Sequence, residues 1–182
     1  MNFNLKIKVD DEIELKEIDR NDATLIFGII DREREYLQTW LPFIEFTHDV
    51  SYTQQFVDNY VDSDRIDLTC GIYFHNQFVG LIGLKDTDTD NQKTEIGYWL
   101  SESFQGKGIV TRACKALIKF LFEKRGINRI QITVATENVK SKRIPERLGF
   151  HFEGIAREGE LHERGFVDLA VYSLLKKSVV NS

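Results

Sequence analysis

Proline and cysteine are scarce in this sequence, at two residues each among 182, and positive charge is in deficit. With little proline, no internal repeat and no low-complexity tract, nothing marks a linker. Residues 1–182 therefore read as one domain, long enough to bury a real core. Cys70 and Cys114 lie far apart in apolar contexts without a CxxC pair, which excludes a zinc pattern and a disulfide framework and leaves buried thiols in a reducing compartment. Histidines 48, 75, 151 and 162 form no pair at metal-ligand spacing, so no metal site is expected. The net charge of −5 argues against a nucleic-acid binder, because neutralising phosphates needs a basic surface; a local basic pocket around one anion stays open. No apolar run is long enough to span a bilayer, and residues 1–19 alternate apolar and charged types without a signal-peptide core. A cytoplasmic protein without membrane contact is expected.

What the chain does have is ordinary globular composition, 42% apolar and 29% charged, with thirteen phenylalanines to fill an interior. Glu12 to Ile18 alternates like a first strand. A helix follows, with Asn21 or Asp22 as its cap, and then a second helix from Ser51 to Asp64, with Ser51 as cap and Phe56, Tyr60 and Val61 on one face. Asp67–Phe74 and Gln77–Leu84 flank His75-Asn76, a two-residue hairpin loop, and Lys93–Leu100 extends the meander. Ile109, Ala113, Leu117 and Phe120 recur at helical spacing, with Lys115, Lys119 and Glu123 on the outer face. Ile127–Ala135 alternates as a strand; a short helix and two closing strands complete an α+β pattern with one strand–helix–strand crossover.

Between the meander and the long helix stands Ser103-Phe104-Gln105-Gly106-Lys107-Gly108-Ile109-Val110. Glycines at a helix start suit an anion, because the first N–H groups lack partners inside the helix and no Cβ blocks the approach. A Walker A loop needs four residues between its first glycine and Gly-Lys-Ser/Thr, a spacing absent here. The dinucleotide fingerprint needs a third glycine where Thr111 stands. A ligand-free glycine-rich helix start is the remaining plain reading of the segment taken alone.

Gln105-Gly106-Lys107-Gly108-Ile109-Val110 resembles the Q/R-x-x-G-x-G/A acyl-CoA pyrophosphate motif of the GNAT acetyltransferase superfamily, and Asn138-Val139-Lys140-Ser141 through Arg147-Leu148-Gly149-Phe150 resembles its N-x-x-S…LGF signature. Phe152-Glu153-Gly154 and the late VDLAVYSLL are similar to its closing strands. The likeness covers nearly the whole chain and is nearest to the branch that acetylates ribosomal-protein N-termini at alanine or serine. It implies a GNAT-like, mostly antiparallel sheet of about seven strands flanked by helices and splayed between the fourth and fifth. It further implies acetyl-CoA as co-substrate, held by Gly97, Tyr98, Trp99 and Leu100 along one strand, by Gln105, Gly106, Lys107, Gly108, Ile109, Val110 and Thr111, and by Asn138 and Ser141. Lys107 and Arg112 are candidates to neutralise the pyrophosphate, against a reading of both as solvated charges. Val110 departs from the motif, whose last position expects Gly or Ala. Carried over from the ribosomal branch, Ser141 would protonate the leaving sulfur and Glu160 would accept the amine proton; Glu95 is the competing base from other branches. A solvated turn glutamate is the plain alternative for Glu160, an ion-paired carboxylate for Glu95 and an N-cap for Asn138. Trp40, within Tyr36–Phe43, would wall the acceptor side unless it packs between the first two helices.

The acceptor the resemblance implies is a protein N-terminal amine, such as that of a ribosomal protein, acetylated directly in a bisubstrate complex, and a homodimer is a family-level expectation. Polyamine or aminoglycoside acetylation, and a CoA-binding protein without catalysis, are the alternatives.

Overall fold

The computed structural model describes residues 5–62 and 66–180. Its centre is an eight-stranded sheet: β1 (Lys6–Lys8), β2 (Ile13–Glu17), β3 (Thr69–Phe74), β4 (Gln77–Asp88), β5 (Lys93–Leu100), β6 (Arg129–Ala135), β7 (His151–His162) and β8 (Gly165–Leu175), in spatial order 1-2-3-4-5-6-8-7. All neighbours are antiparallel except β5 and β6. The extra strand relative to the sequence reading is β1. It forms a hairpin with β2 because the Asp10 carboxylate accepts from the Glu12 and Ile13 N–H groups at 2.8 and 2.9 Å and closes the turn between them. The His75-Asn76 loop has both residues at positive φ (47° and 65°), as a tight type I′ hairpin requires.

Helices α1 (Ala23–Arg32), α2 (Arg34–Gln38) and α3 (Val50–Val61) cover one face of the sheet; α4 (Ile109–Lys124) and α5 (Val139–Arg147) cover the other, and α6 (Lys176–Val180) ends the described chain. The α4 side holds the larger core, where Ile109, Ala113, Leu117 and Leu121 meet Leu15, Ile72, Ile82 and Ile130. The largest fully buried side chains are isoleucines and leucines; Phe78, Phe122 and Phe150 are buried, while Phe43, Phe46, Phe56, Phe152 and Phe166 are exposed, so the phenylalanines fill the interior only in part. In α3 the cap is Asp49, whose carboxylate accepts from the Ser51 N–H at 2.7 Å, and Thr53 and Val57 form the buried face in place of Phe56. Residues 63–64, the expected end of that helix, lie outside the described residues. Asp22 occupies the N-cap position of α1, yet its carboxylate makes no capping bond and instead accepts from the Tyr73 hydroxyl and the Asp19 N–H. Cys70 and Cys114 are buried free thiols; burial pushes Cys70 up to about 12 and Cys114 higher, so neither is a nucleophile. No helix among the described residues is long and apolar enough to cross a membrane.

Two side-chain clamps fix what surrounds the parallel pair. Arg129, at the start of β6, reaches across to Glu153 of β7 at 2.5 Å, while Ser173 of the intervening β8 donates to the same carboxylate at 2.7 Å. The Arg129 hydrogen bond, helped by Ser173, holds the Glu153 carboxyl down at about 2. Glu33, at the break between α1 and α2, accepts from the wholly buried Ser101 hydroxyl at 2.5 Å and from the Glu102 N–H at 2.8 Å. That carboxylate ties the helix pair to the end of β5. Ser101→Ala is therefore expected to lower unfolding free energy by about 1.5–3 kcal/mol, the range for a hydrogen bond to a charged group. Urea denaturation with an unchanged m-value would check this; a midpoint equal to that of the unsubstituted protein would deny Glu33 this role.

Candidate active site

Strands β5 and β6 pair over only three positions, from Lys93↔Arg129 to Glu95↔Gln131. Beyond them β5 stays with β4 through Leu100 and β6 stays with β8 through Ala135, so the two diverge. These are the expected fourth and fifth strands, shifted by one in number because of β1. A cleft of about 650 Å³ opens at the divergence, lined by Gly97, Tyr98, Trp99 and Leu100 on one side and by Ile132 to Ala135 on the other. Backbone groups along these two edges lack a ladder partner, and buried backbone polar groups need one.

The glycine segment closes one end of the cleft. Gly106 and Gly108 have φ of 74° and 70°, and a Cβ built on either would point into open space. Gly108 is the N-cap of α4 and offers no side-chain cap, and the first N–H of the helix with an acceptor inside it is that of Arg112, to the Gly108 carbonyl at 3.0 Å. The N–H groups of Ile109, Val110 and Thr111 thus precede the helical ladder at its positive end. Val110 lines the cleft but is only 8% exposed, because its side chain also belongs to the α4 core. Arg112 is engaged elsewhere: it pairs with Asp10 at 2.8 Å and Glu12 at 2.7 Å. The Lys107 ammonium lies over the rings of Phe74 and Phe104, 5.5 and 4.9 Å from their centroids, and Lys107 is the one residue of the motif outside the lining.

Positive charge reaches the cleft from α5 instead, through Lys140, Arg143 and Arg147. Asn138 caps that helix, its Oδ1 accepting from the Ser141 N–H at 3.1 Å, and the Tyr98 hydroxyl donates to the Ser141 carbonyl at 3.1 Å. Burial pushes the Tyr98 phenol well above its ordinary value, so it stays a donor. Lys140 donates to the Gln105 side-chain oxygen at 2.9 Å, and the Gln105 amide donates to the Tyr36 hydroxyl, which joins α5, the glycine segment and α2 across the cleft. The open glycine cradle, the uncapped helix start and the α5 cations fit a pyrophosphate, and the unpaired strand edges fit an amide-bearing arm.

Of the three candidate catalytic side chains, Ser141 and Glu160 line the cleft and Glu95 does not. Glu95 sits where the parallel ladder ends, with Oε1 on Lys85 at 2.9 Å and Oε2 on the Gln131 amide at 2.8 Å. Glu160 stands on a strand, not in a turn: β7 runs on to His162. A bulge directs it. Ala156 pairs with Leu169 and Glu160 with Val167, so three residues of β7 oppose Asp168 alone. Glu158 takes positive φ (50°) and its N–H donates to Asp168 Oδ1 at 2.8 Å, while a Cβ on Gly159 would fall 2.8 Å from the Leu169 side chain. Trp40 lines the cleft together with Tyr36, Leu37 and Leu41, while Leu37 is also buried beneath α1. Among the described residues no cluster of His, Cys, Asp and Glu could hold a metal. Sequence reasoning gave no role to Lys140, Arg143 and Arg147 in the lining; the run of cations in VKSKRIPER, set on a helix already expected beside the ligand, was the available signal.

Residues 12–151 match the model of the acetyltransferase (GNAT) domain family. The chain is 36% identical over 175 residues to a Bacillus subtilis (strain 168) protein named "Putative ribosomal N-acetyltransferase YdaF", covering 93% of this chain and 94% of that one. It is 28% identical over 171 residues to the ribosomal-protein-serine acetyltransferase of Escherichia coli (strain K12), covering 92% and 94%. The solved microcin C7 self-immunity acetyltransferase MccE, in complex with acetyl-CoA and AMP, superposes with a TM-score of 0.85 at 28% identity, covering 92% and 94%. A family match over most of the chain, on a fold whose central sheet opens into a cleft, makes the chain a member of the GNAT acetyltransferases, an acyltransferase with acetyl-CoA as co-substrate.

Proposed function

We propose that this chain transfers the acetyl group of acetyl-CoA directly to the N-terminal α-amine of a protein, a ribosomal protein by kinship with the two relatives above. The observation that carries the chemistry is the convergence of Glu160, from the β7 bulge, and Ser141, from the first turn of α5, on one cleft. Acetyl-CoA supplies the thioester carbonyl that the amine attacks. Glu160 accepts the proton the amine must lose, directly or through a water, and the Ser141 hydroxyl protonates the departing sulfur. The N–H groups of Ile109, Val110 and Thr111 would hold the pyrophosphate. Glu160 is favoured over Glu95 because Glu95 lies outside the lining and both its oxygens already have partners, Lys85 and Gln131.

Acceptor chemistry matches so exposed a base. An α-amine has a pKa near ~8 and a lysine near ~10.4, so at neutral pH a terminal amine is roughly a tenth neutral, against well under ~0.1% for lysine. That difference is worth about 3 kcal/mol at ~1.4 kcal/mol per pKa unit. Glu160, 40% exposed, is adequate for the first acceptor and poorly equipped for the second.

Glu160→Gln is expected to lower kcat by about 10²–10⁴-fold, and Ser141→Ala by a similar order, with CoA affinity nearly constant by calorimetry. Unchanged turnover in both variants would remove the assignment. Val110→Ala removes methyl groups from the core and should cost about 1–2 kcal/mol of stability while leaving CoA Kd within about threefold, since it keeps the backbone N–H. A large gain in CoA affinity would mean that the valine side chain crowds the ligand. The acceptor itself is read by mass spectrometry after incubation with acetyl-CoA of peptides with free Ser or Ala N-termini, polyamines and aminoglycosides. Acetylation confined to the peptide α-amine is expected, and preferential acetylation of spermidine or an aminoglycoside would reassign the substrate.

A further inference from the structure

The hydrogen-bonding partner of the Glu160 carboxylate among the described residues is His162, whose Nε2 lies 2.7 Å from Oε2. The two residues are i and i+2 on β7, so their side chains project from the same face of the strand. Their exposures differ sharply: the His162 side chain is 8% exposed, that of Glu160 40%. A nearly buried ring therefore backs a carboxylate that opens on the cleft, while His162 itself is not part of the lining.

The surroundings hold this pair in place. His162 is the last residue of β7 and pairs with Gly165 across the hairpin turn. Glu163, next along, accepts from the Gln38 amide at 2.6 Å, which fastens the hairpin tip to α2, the helix that brings Tyr36 to the cleft. On the other side of Glu160 lies the bulge pinned by Asp168. The backbone on both sides of Glu160 is thus fixed, and its side-chain torsions are the freedom that remains.

We infer that His162 is the positioning residue for Glu160, donating from Nε2–H to Oε2 so that Oε1 faces the acceptor amine. This rests on the reading of Glu160 as the base. An ionised carboxylate only accepts hydrogen bonds, so a contact of this length places the proton on Nε2 of the imidazole. The bond removes the rotamer search that an exposed glutamate would otherwise make in each turnover. His162 touches neither substrate and takes no proton from the amine.

The test is a mutant cycle with the best amine acceptor from the panel above, run beside imidazole nitrogen NMR on the unsubstituted protein. His162→Ala should lower kcat about 10- to 100-fold, the scale of a misplaced catalytic group, with KM for acetyl-CoA within about twofold. His162→Gln, whose amide nitrogen can occupy the Nε2 position, should recover most of that loss. In the Glu160→Gln background, His162→Ala should cost nothing further. A merely structural histidine would instead lower kcat equally in both backgrounds and would not be rescued by glutamine, and either result overturns the inference. So does wild-type kcat in His162→Ala, while a strong Glu160→Gln defect beside it leaves the base assignment standing. Full activity in Glu160→Gln removes the base, and with it anything for His162 to position. The NMR arm needs no acceptor and no variant that folds: at pH 8 the His162 Nε2 should carry a proton, and a bare Nε2 overturns the inference.

Discussion

The site depends on a ladder that stops. Antiparallel pairing holds β5 to β4 through Leu100 and β6 to β8 through Ala135, and right-handed sheet twist carries those two blocks in different directions. After Glu95↔Gln131 the parallel pairing between them is lost, leaving two rows of backbone groups facing a gap. Such groups are stable next to water or a ligand and costly when buried without partners, so the divergence creates the cleft and leaves edges that suit an occupant rich in amides. Glu95 fits this geometry as a fastener at the apex: with Lys85 and Gln131 it secures the last paired position before the strands part.

Charge is distributed more finely than its sum suggests. A chain of net charge −5 presents Lys140, Arg143 and Arg147 to the cleft because they share the lining face of one short helix. Arg112, on α4 beside the glycine segment, is neutralised by Asp10 and Glu12 from the β1–β2 turn and so braces the helix against the sheet edge. The positive end of α4 and the α5 cations together favour an anion where the glycines leave room for it.

Much of this was legible in the sequence because local chemistry dictated it. His75-Asn76 between two apolar runs has few conformational options, the heptad-like spacing from Ile109 fixes the buried face of α4, and Gly106 and Gly108 occupy positions that demand positive φ. Asn138 three residues before Ser141 is both a helix cap and a family signature, so the two readings reinforced each other. What escaped was non-local. Phe56 points outward because the face of α3 that packs on α1 runs through Thr53 and Val57. Lys107 lies within the motif and Arg112 just after it, yet contacts with residues far along the chain draw both away from the cleft. The bulge that aims Glu160 could not be read from REGELHERG, because it requires Asp168, on the next strand, to cap Glu158.

That bulge also bears on what kind of acceptor the cleft can serve. A flexible glutamate at a hairpin tip would be a poor base because its carboxylate is seldom aligned; a desolvated one would be stronger but harder to keep ionised. The fold takes a third course. Gly159, with no room for a Cβ against Leu169, lets β7 press close to β8, and Glu160 emerges just beyond at a defined position while staying 40% exposed. If Glu160 is the base as proposed, ordering its carboxylate without burying it favours an amine that is already partly neutral over one whose proton must be removed against a high pKa. Selectivity for α-amines over lysine side chains would then arise from the acceptors' own protonation, before any contact with the residues that follow the acceptor's terminus.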